Sequence, residues 1–107
     1  MYTFDNWDSL SDIQHIIGLW QRETFPEATP LSAAKHLLAE VGELIVDLES
    51  GRDASFELAD CLHLVIAVAE RADVHLADVT RTKFMLNQGR TWGEPNDEGF
   101  TEHIRPA

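Results

Sequence analysis

Residues 30–71 read PLSAAKHLLAEVGELIVDLESGRDASFELADCLHLVIAVAER, and the spacing inside this stretch decides the architecture. Leu31, Ala34, Leu37, Leu38, Val41, Leu44, Ile45 and Leu48 form one apolar stripe at helical period, with Thr29-Pro30 as cap and first-turn pair and Gly51 as the stop. After the Gly51-Arg52 turn, Asp53 or Ser55 caps a third helix running to about Ala72. That helix is nearly apolar all round from Leu58 to Ala69, a pattern that demands burial on most sides. Working outward, Asp8, Ser9 and Ser11 suit an N-cap, and Ser9 with Asp12 imitates a capping box before Ile13, Ile16, Ile17, Leu19 and Trp20. A first helix over about Ser9 to Thr24 follows. On the other side, Leu76 to about Arg90 reads as a fourth helix, and Trp92 to Ala107, with Gly93, Pro95, Gly99 and Pro106, as an ordered tail. No strand-like alternation persists, so the expected fold is an all-α bundle of four helices with a C-terminal loop, one domain over residues 1–107. A chain of this length has little surplus area to cover a helix that is apolar on every side, which predicts self-association through the third and fourth helices.

Composition narrows the function classes. Eight basic against 19 acidic side chains give a net charge of −11, which argues against a nucleic-acid backbone or an anionic membrane as partner, since such binders neutralise phosphates with Lys and Arg. With 44% hydrophobic residues the chain is expected to fold despite its charge. The lone Cys61, among Leu58, Ala59, Leu62 and Leu64, is expected to be a buried thiol in a reducing compartment. Residues Met1 to Leu10 are acidic and lack an apolar leader core, and no apolar run approaches a membrane span, so a soluble, cytoplasmic protein is expected.

Two acidic pairs carry the chemistry. Glu40 and Glu43 stand three apart on the second helix, Glu57 and Asp60 three apart on the third, with 13 residues between the pairs. A short turn makes the two helices antiparallel neighbours, so the four carboxylates are placed to converge. An acidic stripe on an amphipathic helix is ordinarily a solvated face, so Glu40 and Glu43 alone decide nothing. Glu57 and Asp60 differ, because they adjoin an apolar segment where unpaired carboxylates are rare. Converged carboxylates repel unless a cation neutralises them, and oxygen-only ligands select hard ions such as Mg²⁺, which completes its shell with water and substrate phosphates. A polyphosphate substrate is implied.

On the fourth helix, Lys83, Asn87 and Arg90 share one face near Trp92 and make a phosphate clamp, or alternatively a surface salt-bridge face. His63 follows Asp60 as Asp-x-x-His, but no second such pair exists for a di-iron site, and a packed helix histidine is the plainer reading. His36, four before Glu40, suits a capping or surface role, or an interaction with that carboxylate. Trp7 and Trp20 are candidates to stack on a base, though such aromatics usually serve the core.

Glu40-Val-Gly-Glu43-Leu, then Glu57-Leu-Ala-Asp60, then Lys83, Asn87 and Arg90 resemble the all-α nucleoside triphosphate pyrophosphohydrolases of the MazG-like superfamily, over roughly residues 30–92. The stretch from Lys83 through Asn87, Arg90 and Trp92-Gly93, with Gly99 and Glu102-His103-Ile104, is similar to the phage dATP/dGTP pyrophosphohydrolase branch of MazZ type. The resemblance implies hydrolysis of a purine (d)NTP, dGTP or dATP, between the α and β phosphates, in phage 2-aminoadenine nucleotide metabolism and hence in a host-cell cytoplasm. It implies two or three Mg²⁺ ions, with Mn²⁺ able to substitute, held by Glu40, Glu43, Glu57 and Asp60, one of them, Glu43 as the nominee, acting as base. It implies phosphate binding by Lys83, Asn87 and Arg90, base binding by Gln14, His15, Trp20 or Trp92, and a homodimer or homotetramer. The basic cluster some relatives carry between the acidic pairs is reduced here to Arg52. House-cleaning of non-standard nucleotides, and a non-catalytic oligomeric helical module, are the competing expectations.

Overall fold

The structure, a computed structural model, describes residues 9–105. Trp7, the Asp8 cap and Pro106-Ala107 lie outside the described residues. Four helices are present, α1 (Leu10–Thr24), α2 (Pro30–Glu49), α3 (Ser55–Arg71) and α4 (Leu76–Gln88), followed by two short strands, β1 (Thr91–Trp92) and β2 (His103–Ile104). No described helix is long and apolar enough to cross a membrane. The chain forms two compact units, one ending at Ala77 and one beginning at Asp78.

Local chemistry sets the helix ends in the first unit. The Ser9 hydroxyl accepts from the Asp12 amide at 3.0 Å and starts α1. Thr29 and Ser32 cap each other reciprocally around Pro30 at the start of α2, satisfying donors that have no intrahelical partner. Gly51, at φ 69°, makes the left-handed turn after α2. The start of α3 departs from expectation. Ala54 is the N-cap and offers no side-chain bond, while Asp53 accepts from the amide and hydroxyl of Ser55 one step outside it.

Helix α2 packs along α3 as an antiparallel hairpin, and α1 crosses the later turns of α3. The α1–α3 seam is polar. Gln14, Gly18 and Gln21 are the buried positions of α1, spaced i, i+4, i+7, whereas Leu19 and Trp20 of its apolar series stay exposed. Gln14, 4% exposed, donates to Glu70 Oε1 at 3.1 Å and the Val74 carbonyl at 2.8 Å, and accepts from the Leu76 amide at 2.8 Å. Its oxygen thereby satisfies an orphan donor at the start of α4. Gly18 permits the approach, because a Cβ there would stand 2.5 Å from Glu70 Cγ. Arg71, in the last turn of α3, donates to the carbonyls of Ala28 at 2.9 Å, Phe25 at 3.0 Å and Gln21 at 3.3 Å, which closes the C-terminal end of α1.

The core is thin. Among the described residues Ile66 is the one large side chain fully removed from solvent, and the other buried apolar residues are Ala33, Ala54, Ala67, Ala69 and Ala77. Within this one chain, α1 and α2 leave part of the apolar surface of α3 uncovered. Leu58, Leu62 and Val65, at i, i+4, i+7, remain exposed, as do Leu31, Leu38 and Ile45 along α2, with Leu38 at 74% and Phe56 at 85%. Cys61 is half-buried rather than enclosed.

In the second unit the tail is ordered but not purely loop. Thr91 pairs with Ile104 and Trp92 with His103 in an antiparallel ladder that the sequence did not reveal. Asn96 supports the intervening turn by accepting from the amides of Glu98 and Phe100, and Gly99 takes φ 90°.

Candidate active site

The α2–α3 hairpin decides which acids meet. Counting outward from the Gly51 turn, Glu43 falls opposite Glu57 and Glu40 opposite Asp60. Glu40 and Asp60 line one cavity of about 380 Å³, and Glu43, Asp47 and Glu57 line a second, open recess of about 560 Å³. The electrostatics link the two. The Glu43 carboxyl is raised above its ordinary value, first by a shared hydrogen bond with Glu40 and by its charge, then by partial burial and by Asp60 and Asp47. Burial raises the Cys61 thiol, and the charges of Glu40, Asp60 and Glu57 raise it further, so three of the acids act on one point of α3.

Glu40 is the most constrained of the four. Its Oε1 lies 3.4 Å from His36 Nε2, and its Oε2 is buried without any hydrogen-bond partner. A buried carboxylate oxygen left so is costly, and a cation set against it removes the cost. The oxygen-rich donor set therefore fits a hard divalent ion. Among the described residues no three His, Cys, Asp or Glu side chains already close round a common point, so the acids share a neighbourhood rather than a finished cage. Arg52, the basic residue between the acidic pairs, is bound to Asp47 at 3.0 Å.

The phosphate-clamp candidates lie in the second unit. Arg90 donates to Asn87 Oδ1 at 3.1 Å, the Trp92 indole donates to the Asn87 carbonyl at 2.9 Å, and Lys83 is exposed. Trp92 meets the His103 ring edge-on at 5.9 Å. Burial lowers the His103 pKa, and the charges of Arg90, Arg105 and Lys83 lower it further. The Glu102 carboxylate opposes the three cations at this ring.

Of the base-binding candidates, Trp20 lines the 380 Å³ cavity and stands edge-on to Phe25 at 5.5 Å. Gln14 does not line it, and its amide is occupied in the seam described above. His15 is exposed, and Trp92 belongs to the second unit. The cavity also takes His36 and His63, the latter exposed rather than packed, together with Gln21 and Phe25, which sequence reasoning passed over. Gln21 stands seven residues after Gln14, on the same face of α1, and that spacing was its available signal.

Known proteins place this arrangement. A family model described as dATP/dGTP pyrophosphohydrolase matches residues 13–107. A dATP/dGTP diphosphohydrolase of Cyanophage S-2L is 30% identical over 96 residues, covering 90% of this chain and 89% of that protein. A dATP/dGTP diphosphohydrolase of Salmonella phage PMBT28 is 32% identical over 96 residues, where this chain spans 32% of the relative's length. The solved Cyanophage S-2L MazG-like pyrophosphohydrolase, bound to dGDP and three catalytic Mn²⁺ ions per active site, superposes with a TM-score of 0.79 at 29% identity, covering 92% of this chain and 96% of that one. The four-helix fold is thus MazG-like, and the chain belongs to the dATP/dGTP pyrophosphohydrolase family.

Proposed function

We propose that this chain, acting as one domain, is a divalent-cation-dependent hydrolase that converts dATP and dGTP to the monophosphate and pyrophosphate. The observation that carries the reading is the meeting of Glu40 with Asp60 and of Glu43 with Glu57 across one helix hairpin, with a buried Glu40 oxygen lacking a partner. Glu40, Glu43, Glu57 and Asp60 hold the ions, Mg²⁺ in the cell and Mn²⁺ as a substitute, two or three in number. Ions held there would supply Lewis-acid stabilisation of phosphate charge and would acidify water.

The protein's own groups do the rest. Lys83, Asn87 and Arg90 grip the phosphates and steady the charge on the departing pyrophosphate as the α–β bond breaks. Glu43 takes the proton of the attacking water. Trp20 borders the base. The exposed apolar rows Leu31-Leu38-Ile45 and Leu58-Leu62-Val65 are covered by a second copy, giving a dimer or a tetramer. The resemblance of the Lys83 to Ile104 stretch to the MazZ-type branch favours a place in phage 2-aminoadenine nucleotide metabolism.

The test is pyrophosphate release from dATP, dGTP, dCTP, dTTP, ATP and GTP with Mg²⁺, with wild type beside Glu57→Ala. Release confined to purine triphosphates and lost in a folded variant supports the reading. No release from any of the six by folded wild type overturns it.

A further inference from the structure

Among the described residues two buried side-chain oxygens lack a hydrogen-bond partner, Glu40 Oε2 and Gln21 Oε1, and both residues line the same cavity of about 380 Å³. A cation accounts for the first. The second needs a different partner, because an amide oxygen is neutral and sits on another helix. Gln21 is 5% exposed, and its Nε2 already donates to the His63 carbonyl at 2.7 Å. That bond uses one of the two Nε2 hydrogens and fixes the amide, leaving Oε1 as the side-chain atom without a partner.

The surroundings suit a flat heteroaromatic ring. Trp20 and Phe25 are each about half exposed, and the small side chains of Ala28, Ala33 and Ala67 also line the cavity. The volume falls in the range of small-molecule sites. The Arg71 guanidinium also borders the cavity, but it is bound to main-chain carbonyls of the first unit. On the hydrolase reading, a nucleotide with its phosphates by Glu40 and Asp60 would set its base beside Trp20 and Phe25.

We infer that Gln21 is a specificity-determining residue whose Oε1 accepts an N–H from the purine edge, either the 6-amino group of adenine or the N1–H and 2-amino edge of guanine. This rests on the hydrolase reading above. A purine without such a donor leaves the buried oxygen unpaired, and a site built to hydrogen-bond a substrate group rejects the analogue lacking it far more strongly than an apolar pocket does.

The experiment compares kcat/KM for dGTP, dATP and the triphosphate of unsubstituted purine 2′-deoxyriboside, with wild type beside Gln21→Met. Wild type is expected to prefer at least one amino-bearing substrate over the unsubstituted purine by roughly tenfold or more. Gln21→Met is expected to lose that preference while turnover of the unsubstituted purine stays within about twofold. Whichever of dGTP and dATP loses more identifies the edge that is read. Equal losses on all three substrates would mark Gln21 as a structural brace and overturn the inference. So would a wild-type enzyme indifferent to the amino groups, a result that decides the matter even if the variant fails to fold. Turnover without preference removes this inference alone, whereas no turnover of any purine triphosphate removes the hydrolase reading with it.

Discussion

Against α1, helix α3 forms a seam knit by side chains, with Gln14, Arg22 and Arg71 tied to Glu70, Val74 and the end of α1, and with Gln21 Oε1 as the one buried side-chain oxygen of the seam left over among the described residues. Against α2, the same helix sets carboxylates beside carboxylates and leaves a buried oxygen of Glu40 without a partner. The difference separates two kinds of buried polarity. Satisfied groups fix the register of the helices, and unsatisfied ones mark where something from outside must bind.

Substitutions on the two sides should therefore fail in different ways. The largest expected effect is on the open side, where Glu40→Gln should lower turnover by roughly a thousandfold, the loss of a few kcal/mol of charge stabilisation. Its thermal midpoint without metal should be unchanged or higher, which a melt with chelator checks. A marked destabilisation there would erase the contrast. Ile66→Ala, at the one large side chain fully buried among the described residues, should cost about 2–5 kcal/mol in denaturant unfolding. On the closed side Gln14→Leu should cost about 1–3 kcal/mol, because Val74, Glu70 and the Leu76 amide lose their partner, and a metal titration of the folded variant should match wild type.

The smallest effect lies in the turn between α2 and α3, where Ser55 lowers the Asp53 carboxyl below its ordinary value. A pKa depressed by folding adds stability above the unfolded pKa, and that stability is lost as pH falls through the folded one. Asp53→Asn should accordingly melt slightly below wild type at neutral pH, with the gap closing in acid below the usual aspartate value of about 3.9. A gap that persists in acid would assign the effect to shape rather than charge.

The contrast also explains what could be read from the chain. Helices α2 and α3 were legible because Thr29-Pro30, the apolar period and Gly51 agree with one another, and the acidic pairs were legible because their spacing to the turn is short and local. The α1 seam was not. The visible series Ile13, Ile16, Ile17, Leu19 and Trp20 draws attention to one face, whereas Gln14, Gly18 and Gln21 are buried by partners more than 40 residues away. For the same reason Gln14 stood out as a base-binding candidate and Gln21 did not, since nothing local tells a braced amide from a half-braced one. A ladder of two residue pairs is too short to leave an alternation, so β1 and β2 were invisible. The apolar girth of α3 was read correctly, but its cover is not in the first unit.

Arg71 holds the α1 terminus, and with it the Trp20 and Phe25 neighbourhood, from the same rigid helix that carries Asp60. Those two positions lie 11 residues apart on α3, about 16 Å at the rise of an α-helix. The helix is thus a ruler with one mark at the ion and the other at the aromatic wall. Both marks are cut on one bar, so neither end can be adjusted for a longer or shorter guest without resetting the other.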